Sequence, residues 1–159
     1  MNIRKLDADD LGYALFSWRQ SAKEAPGLRG VPWGYYKDAV VPVFAKILEA
    51  PTTAVLGAYV DDTLVGWLAG TPGKRVHTVH WVYVKHEVDG RHPRRHGVMT
   101  ALLDAADLGA RFIYTLRGRR LDREERKQFG AASLDEVLVT SLRARGVTAT
   151  HVPLREWMK

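Results

Sequence analysis

The sequence predicts a single domain of the α+β class spanning residues 1–159. Its length is that of one ordinary domain, so we expect one folding unit. Apolar residues recur at helical spacing in some segments and alternate with period two in others. Turn signals between the alternating segments indicate hairpins. The elements are expected in the order β-α-α-β-β-β-α-β-α-β.

Composition narrows the function classes. Hydrophobic residues make up 46% of the chain and charged residues 26%, a balance typical of a folded protein. The absence of cysteine excludes disulfides, a cysteine nucleophile and thiolate zinc sites. The chain starts without an apolar signal core, and no apolar run approaches the roughly 18 residues of a membrane span. We therefore expect a soluble, cytoplasmic protein with no membrane partner.

The first third of the chain predicts one strand and two helical segments. Ile3–Leu6 can form a short strand, and the acids that follow supply an N-cap for an amphipathic helix. A second helical pattern covers Tyr36–Leu48 and is interrupted by Pro42. Because proline removes an amide donor and clashes with the preceding turn, we expect a kinked helix or two short ones.

The middle of the chain predicts three strands. Thr53–Val60 and Leu64–Gly70 are joined by a hairpin signal, and Arg75–Lys85 is a long strand that follows. One face of the long strand is expected to carry Val76, Thr78, His80, Val82 and Val84, and the other His77, Val79, Trp81 and Tyr83. Because both faces are largely apolar, we expect a central strand covered on both sides. The two histidines face opposite ways and cannot share an ion, and no other grouping has ligand spacing, so we predict no metal.

The rest of the chain alternates helices and strands. The predicted segments are, in order, a polar loop at 86–96, a helix at Gly97–Leu108, a strand at Arg111–Leu116, a charged connection at Gly118–Gly130, a helix at Ser133–Arg145 and a strand at Val147–Leu154. No repeat or linker divides the chain into further domains.

The junction of the long strand with the next helix predicts an anion site. Arg94 and Arg95 precede Gly97 at the helix start, where free amide hydrogens and the helix dipole favour a phosphate. Glycine lets the backbone approach such a group closely. The balance of 24 basic to 18 acidic residues, a net charge of +6, agrees with an anionic partner. We expect a ligand that carries a pyrophosphate.

Arg94-x-x-Gly97-x-Met99, with this order of elements, resembles the acetyl-coenzyme A motif of the Gcn5-related N-acetyltransferase (GNAT) superfamily. Further segments look like a group of small phage-encoded GNAT-like proteins: Ser17-Trp18, Tyr35-Tyr36, Gly66-Trp67, Tyr83-Val84-Lys85 and Tyr114-Thr115. The resemblance covers nearly the whole chain. It implies a mixed, mostly antiparallel sheet of about six to seven strands, flanked by about four helices.

The resemblance also implies a cofactor site. Acetyl-CoA would be the co-substrate and an amine, for example of a host protein, the acceptor. The pantetheine arm would pair with the backbone of the long strand, and the pyrophosphate would rest on amides of the loop and helix start. The cofactor-binding residues are then Val82, Tyr83, Val84, Arg94, Arg95, His96, Gly97, Val98 and Met99. Met99 departs from the pattern, because the family usually has a small residue there.

The catalytic residues are less clearly marked than the cofactor site. His80 lies where some relatives carry a catalytic histidine, and it suits a base near neutral pH. It also fits a histidine satisfied within the core. Leu142 stands where the family usually has the tyrosine that protonates the thiolate, so Tyr83 or Tyr114 would have to replace it.

A second function class therefore remains open as an alternative to the enzyme. It is a GNAT-fold binding protein, catalytically weak or inactive, that acts by docking on a host protein or nucleic acid. A second basic cluster consists of Arg117, Arg119, Arg120, Arg123, Arg126 and Lys127. Interleaved acids favour a salt-bridged surface helix there over a nucleic-acid site. A homodimer is a further expectation, and a phage-encoded protein would act in the host cytoplasm.

Overall fold

A computed structural model describes residues 1–25, 28–74, 76–85, 97–107, 111–115, 123, 126–127, 136, 139–140 and 143–151. The elements in these ranges are β1 (Asn2–Lys5), α1 (Ala8–Ala22), α2 (Trp33–Tyr35), a π-helical segment (Tyr36–Val40), α3 (Val41–Glu49), β2 (Ala54–Val60), β3 (Thr63–Thr71), β4 (His77–Val84), α4 (Val98–Ala105), β5 (Arg111–Tyr114) and β6 (Thr148–His151). The predicted α+β class is confirmed, and shared elements differ from their predicted bounds by few residues.

The six strands form one sheet in the order β1-β2-β3-β4-β5-β6. The pairs from β1 to β4 are antiparallel, whereas β4 pairs with β5 and β5 with β6 in parallel. The mixed, mostly antiparallel sheet implied by the sequence resemblance is thus confirmed. β2 and β3 are joined by Asp61 and Asp62, whose φ angles of 48° and 59° are those of a tight hairpin turn.

The interruption predicted at Pro42 is confirmed. The helical segment from residue 33 to 49 passes through a π-helical stretch before α3 begins at Val41. Pro42 lies in the first turn of α3, directly after the π-helical stretch, so the change in helical hydrogen bonding falls next to the residue that has no amide to donate.

Helices cover both faces of the sheet. α1 and α3 pack on one face, where the rings of Trp18 and Phe44 stack at 4.3 Å between centroids. The indole of Trp67 on β3 donates a hydrogen bond to Ser17 Oγ on α1 at 2.8 Å. α4 packs on the other face through Val98 and neighbouring apolar residues. β4 therefore lies between two helical layers, as predicted for the long strand.

The strict alternation predicted for β4 is wrong at His80. Trp81 pairs with Ala69 and Val79 pairs with Gly70, so His80 is an extra residue between two paired positions. Such a β-bulge reverses the facing of the residues on either side of it. Val79 accordingly packs with the α4 layer, whereas Trp81 packs with the α1 layer.

Some predicted segments lie outside the described residues. They are the loop at 86–96, most of the charged connection at 118–130, most of the helix at 133–145 and the last strand beyond His151. Within the described part of the chain, no helix is long and apolar enough to cross a membrane.

Candidate active site

The candidate site begins where α4 starts against the end of β4. Gly97 has a φ of 70°, in the left-handed region, and its carbonyl accepts the amide of Ala101 at 2.9 Å. Val98 is buried, while Gly97 itself is exposed. The amides of the first helical turn have no intrahelical acceptor, so they are available to donate hydrogen bonds to another group, of which an anion is the kind favoured at a helix start.

Gly66 on β3 makes this placement of α4 possible. Gly66 pairs with Val84 at the end of β4. A Cβ at Gly66 would lie 3.0 Å from Val98 Cγ1 and 2.8 Å from the carbonyl oxygen of Tyr83. The absence of a side chain therefore lets the start of α4 lie directly over the end of β4. Sequence analysis missed Gly66, although an isolated glycine in a strand often indicates such a close approach.

The edge of β4 that faces away from β3, over residues 80–84, is the second part of the site. Pairing of β4 with β5 involves residues 77–79 only, and it ends with the amide of Thr115 donating to the carbonyl of Val79 at 3.1 Å. Among the strands that the structure describes, none pairs with this edge beyond Val79. We call residues 80–84 on this side the second edge of β4.

Hydrogen-bond alternation orients the backbone of the second edge. The amide of Lys85 donates to Val65 on β3 at 2.9 Å, and Tyr83 pairs with Trp67. Because alternate residues of an antiparallel strand direct their backbone groups to opposite sides, those of Val82 and Val84 point away from β3. The cofactor residues predicted on β4 thus separate into two that present backbone at this edge and Tyr83, which presents its side chain.

The predicted cofactor residues come from three segments, and the structure describes two of them. Val82, Tyr83 and Val84 lie on β4, and Gly97, Val98 and Met99 form the start of α4 beside it. Arg94, Arg95 and His96 lie outside the described residues.

Tyr83 belongs to an aromatic group on the α1 face of the sheet. Its ring lies 6.5 Å from that of Trp67 and 6.4 Å, edge to face, from that of Tyr13. Burial raises the pKa of Tyr13 well above its ordinary value, and a hydrogen bond with Tyr83 raises it further. The ammonium of Lys85 lies 4.6 Å from the Tyr13 ring centroid. Sequence analysis missed Tyr13, because its only local signal is that of one residue within a predicted amphipathic helix.

Tyr114, the other predicted acid, lies in a different environment. It is part-buried on β5 and packs with the α4 layer, on the sheet face opposite Tyr83. Its ring centroid is 5.2 Å from that of His151 on β6. The two tyrosines predicted as alternatives are therefore not brought together by the fold. Leu142 lies outside the described residues.

His80 is buried within the sheet, with 1% of its surface exposed. Its Nε2 lies 2.9 Å from Thr71 Oγ1 on β3, and its Nδ1 lies 3.4 Å from Thr115 Oγ1 at the end of β5. Burial lowers the pKa of His80 from 6.5 to about 4, which keeps the imidazole neutral near pH 7. Sequence analysis missed both threonines, because residues 9 and 35 positions away leave no local signal.

No family model matches the chain, and no curated protein sequence matches it. Among solved structures, an aminoglycoside 6'-acetyltransferase type Ii is 17% identical, with a TM-score of 0.44 over 67% of this chain and 62% of its own. PaiA N-acetyltransferase from Thermoplasma acidophilum, in complex with coenzyme A, is 22% identical, with a TM-score of 0.42 over 67% of this chain and 69% of its own.

A third similar structure is an aminoglycoside antibiotic 6'-N-acetyltransferase from Acinetobacter haemolyticus. It is 18% identical, with a TM-score of 0.46, over 92% of this chain and 89% of its own. All three structures are named acetyltransferases. The match with the first of them spans only 62% of that protein's length.

Proposed function

We propose that the chain is an acetyl-CoA-dependent N-acetyltransferase, which transfers an acetyl group to an amine. The observation that carries the proposal is the juxtaposition of the second edge of β4 with the helix start at Gly97. Gly66 brings these two features together, since Val98 packs over it. The second edge of β4 suits an extended arm that carries amides, and the helix start suits a phosphate. Coenzyme A contains both groups, one linked to the other.

The described residues fit the two ends of that molecule. The amides of pantetheine can pair with the backbone of Val82 in the manner of an added strand, and Val84 extends the same edge. The pyrophosphate can accept hydrogen bonds from the first amides of α4, where left-handed Gly97 allows close approach. Arg94, Arg95 and His96 complete the proposed site as additional donors.

The transfer requires three proton movements. The ammonium of the acceptor must lose a proton before its nitrogen attacks the thioester carbonyl. The C–N bond then forms, the nitrogen loses a second proton, the C–S bond breaks, and the departing thiolate takes one proton, so one proton is released to solvent in each turnover. We assign the acid role to Tyr83, because its part-buried side chain lies on the strand that carries the second edge, and we keep Tyr114 as the alternative. The sequence-based base, His80, is considered in the next subsection.

The finer parts of the proposal concern the partners. The resemblance to phage-encoded proteins is our ground for proposing an amine of a host protein as the acceptor and the host cytoplasm as the location. We also propose that the protein forms the homodimer expected from the sequence analysis. Thiol release measured with a panel of amines and host peptides would identify the acceptor class.

Two substitutions at Gly97 test the cofactor site by isothermal titration with acetyl-CoA. Asp and Asn have similar shapes and both tolerate a left-handed φ. Gly97→Asp should weaken binding by about tenfold or more through repulsion of the pyrophosphate, whereas Gly97→Asn should retain most of the affinity. Gly30 also has a positive φ, 87°, and open space around it, so Gly30→Asp is a matched control that should bind normally. Equal affinities of the two Gly97 variants would contradict the phosphate site.

The second candidate is the docking protein, and a surface on α1 and α2 favours it. Phe16, Trp33 and Tyr35 are 51%, 51% and 65% exposed. The guanidinium carbon of Arg19 lies 5.7 Å from the Phe16 ring centroid and 5.8 Å from that of Trp33. Exposed aromatics beside arginine are typical of protein interfaces. Absence of acetyl-CoA binding at millimolar concentration would favour this candidate over the enzyme.

A further inference from the structure

Three buried or part-buried side chains link three neighbouring strands across the sheet. His80 on β4 lies within hydrogen-bond distance of Thr71 at the end of β3 and of Thr115 just after β5, at 2.9 Å and 3.4 Å. His80 and Thr115 are each only 1% exposed. We call Thr71, His80 and Thr115 the histidine bridge.

The bridge can be satisfied with a neutral imidazole. A neutral imidazole has one N–H donor and one nitrogen acceptor, and each threonine hydroxyl can take either part. Thr71 Oγ1 also lies 3.4 Å from Thr53 Oγ1, which gives it a hydroxyl partner in addition to the histidine. Both ring nitrogens are therefore engaged by side chains of the sheet, so the imidazole is held in one orientation.

The bridge lies where the pairing of β4 changes. The bulge in β4 is at His80 itself, between Val79 and Trp81. The last hydrogen bond from β5 to β4 runs from the Thr115 amide to the Val79 carbonyl at 3.1 Å. The second edge of β4 begins directly after this point. One residue thus contacts both strands that flank β4, at the position where β5 stops pairing with it.

We infer that His80 is a positioning residue, whose contacts with Thr71 and Thr115 hold β3 and β5 against the bulge and so fix the start of the second edge of β4. This role rests on the proposed function in so far as the second edge binds the pantetheine arm. A side chain that is 1% exposed and bonded to the sheet on both ring nitrogens orders backbone instead of meeting an acceptor amine. The base role expected from the sequence is the rival explanation, and the two differ in measurable ways.

Substitutions that remove or keep the contact between His80 and Thr115 separate the two roles; Thr115→Val removes this side of the bridge alone, and His80→Leu removes both sides. His80→Leu and Thr115→Val remove the contact with β5 and should each weaken coenzyme A binding by about tenfold, raising the KM for acetyl-CoA with little change in kcat. His80→Asn places an amide near the former Nδ1 and should restore most of the affinity. Its pH profile of kcat should match that of the wild type.

A control separates positioning from general loss of stability. Phe44 is fully buried in the α1 layer, away from the second edge. Phe44→Leu should lower the melting temperature without changing the affinity for coenzyme A. A fall in kcat for His80→Asn, with loss of one limb of the pH profile and unchanged binding, would overturn the positioning role in favour of the base.

Amide exchange measured by NMR without ligand keeps the inference independent of the proposed function. The Thr115 amide should exchange slowly in the wild type and about tenfold faster or more in His80→Leu and Thr115→Val, while the amide of Leu68 on β3 stays unchanged. If acetyl-CoA fails to bind but exchange responds in this way, the enzyme proposal fails and the strand-positioning role stands. Unchanged exchange at Thr115 in both variants would overturn the role of His80, whatever the protein binds.

Discussion

At the scale of the residue, His80 owes its protonation state to the sheet around it. Burial lowers its pKa to about 4 from the ordinary 6.5, because a charged imidazole would lose its hydration. In the neutral form, the ring can donate to one threonine and accept from the other. A protonated ring would have two donors and a buried charge, so the folded state resists protonation.

This resistance predicts a pH-dependent stability. Between pH 6.5 and about 4, His80 binds a proton in the unfolded state but stays neutral in the folded state. The free energy of unfolding should therefore fall as the pH falls through this window. The loss from this residue should amount to about 3 kcal/mol and should be absent above pH 7. Urea unfolding over a pH series measures it. His80→Asn should show a shallower dependence, and identical slopes for the two proteins would contradict the lowered pKa.

At the scale of the element, the position of α4 depends on a residue in another element. Val98, the first residue of α4, packs over Gly66 of β3, with no space for a Cβ between them. The helix start and the end of β4 are thereby held at close range. Any group added at Gly66 must displace either the helix or the backbone of Tyr83.

Gly66→Ala should therefore be destabilising. The new methyl group would lie 2.8 Å from the Tyr83 carbonyl oxygen and 3.0 Å from Val98 Cγ1, so we expect a loss of about 1–3 kcal/mol in the free energy of unfolding. Gly12→Ala in α1 is the matched control, because a Cβ there meets nothing within 4 Å and should stabilise the helix slightly. Thermal unfolding compares the two variants. Similar melting temperatures would show that α4 does not depend on this close approach.

The sequence predicted most elements but not the contacts between them. The period of apolar residues located the strands and α1, and Pro42 located the break before α3, because both signals are local. The bulge at His80 was missed, since it depends on how Val79 and Trp81 pair with β3. The residues on β4 and α4 that we propose bind the cofactor were chosen from a motif and a family resemblance. The close approach of β4 and α4 could not be predicted, because it depends on Gly66, about thirty residues before Gly97 in the chain.

At the scale of the whole molecule, the proposed ligand would contact both β4 and α4, which end and begin at residues 84 and 98 of the chain. Coenzyme A would contact β4 with its arm and α4 with its pyrophosphate. A ligand that binds only the folded state stabilises it by mass action. The whole domain, and not just the site, should therefore resist unfolding in its presence.

A thermal-shift measurement checks this expectation. Coenzyme A at about one hundred times its Kd should add about 2.7 kcal/mol, which corresponds to a rise of roughly 5–10 °C in Tm for a domain of this size. Pantetheine without the nucleotide should give a much smaller rise at the same concentration. Gly97→Asp should lose most of the shift. A wild-type Tm that does not change at saturating coenzyme A would contradict the proposed enzyme function.

The order of the strands in the sheet has a consequence for how the protein is made. The described strands β1 to β6 lie side by side in their order along the chain, so each of them pairs with its neighbours in the sequence. Each of these strands after β1 therefore meets, as it leaves the ribosome, a partner that has already been synthesised. We expect the sheet to assemble from its amino-terminal side during translation, with β2, β3 and β4 as the earliest unit, because few residues separate them in the chain.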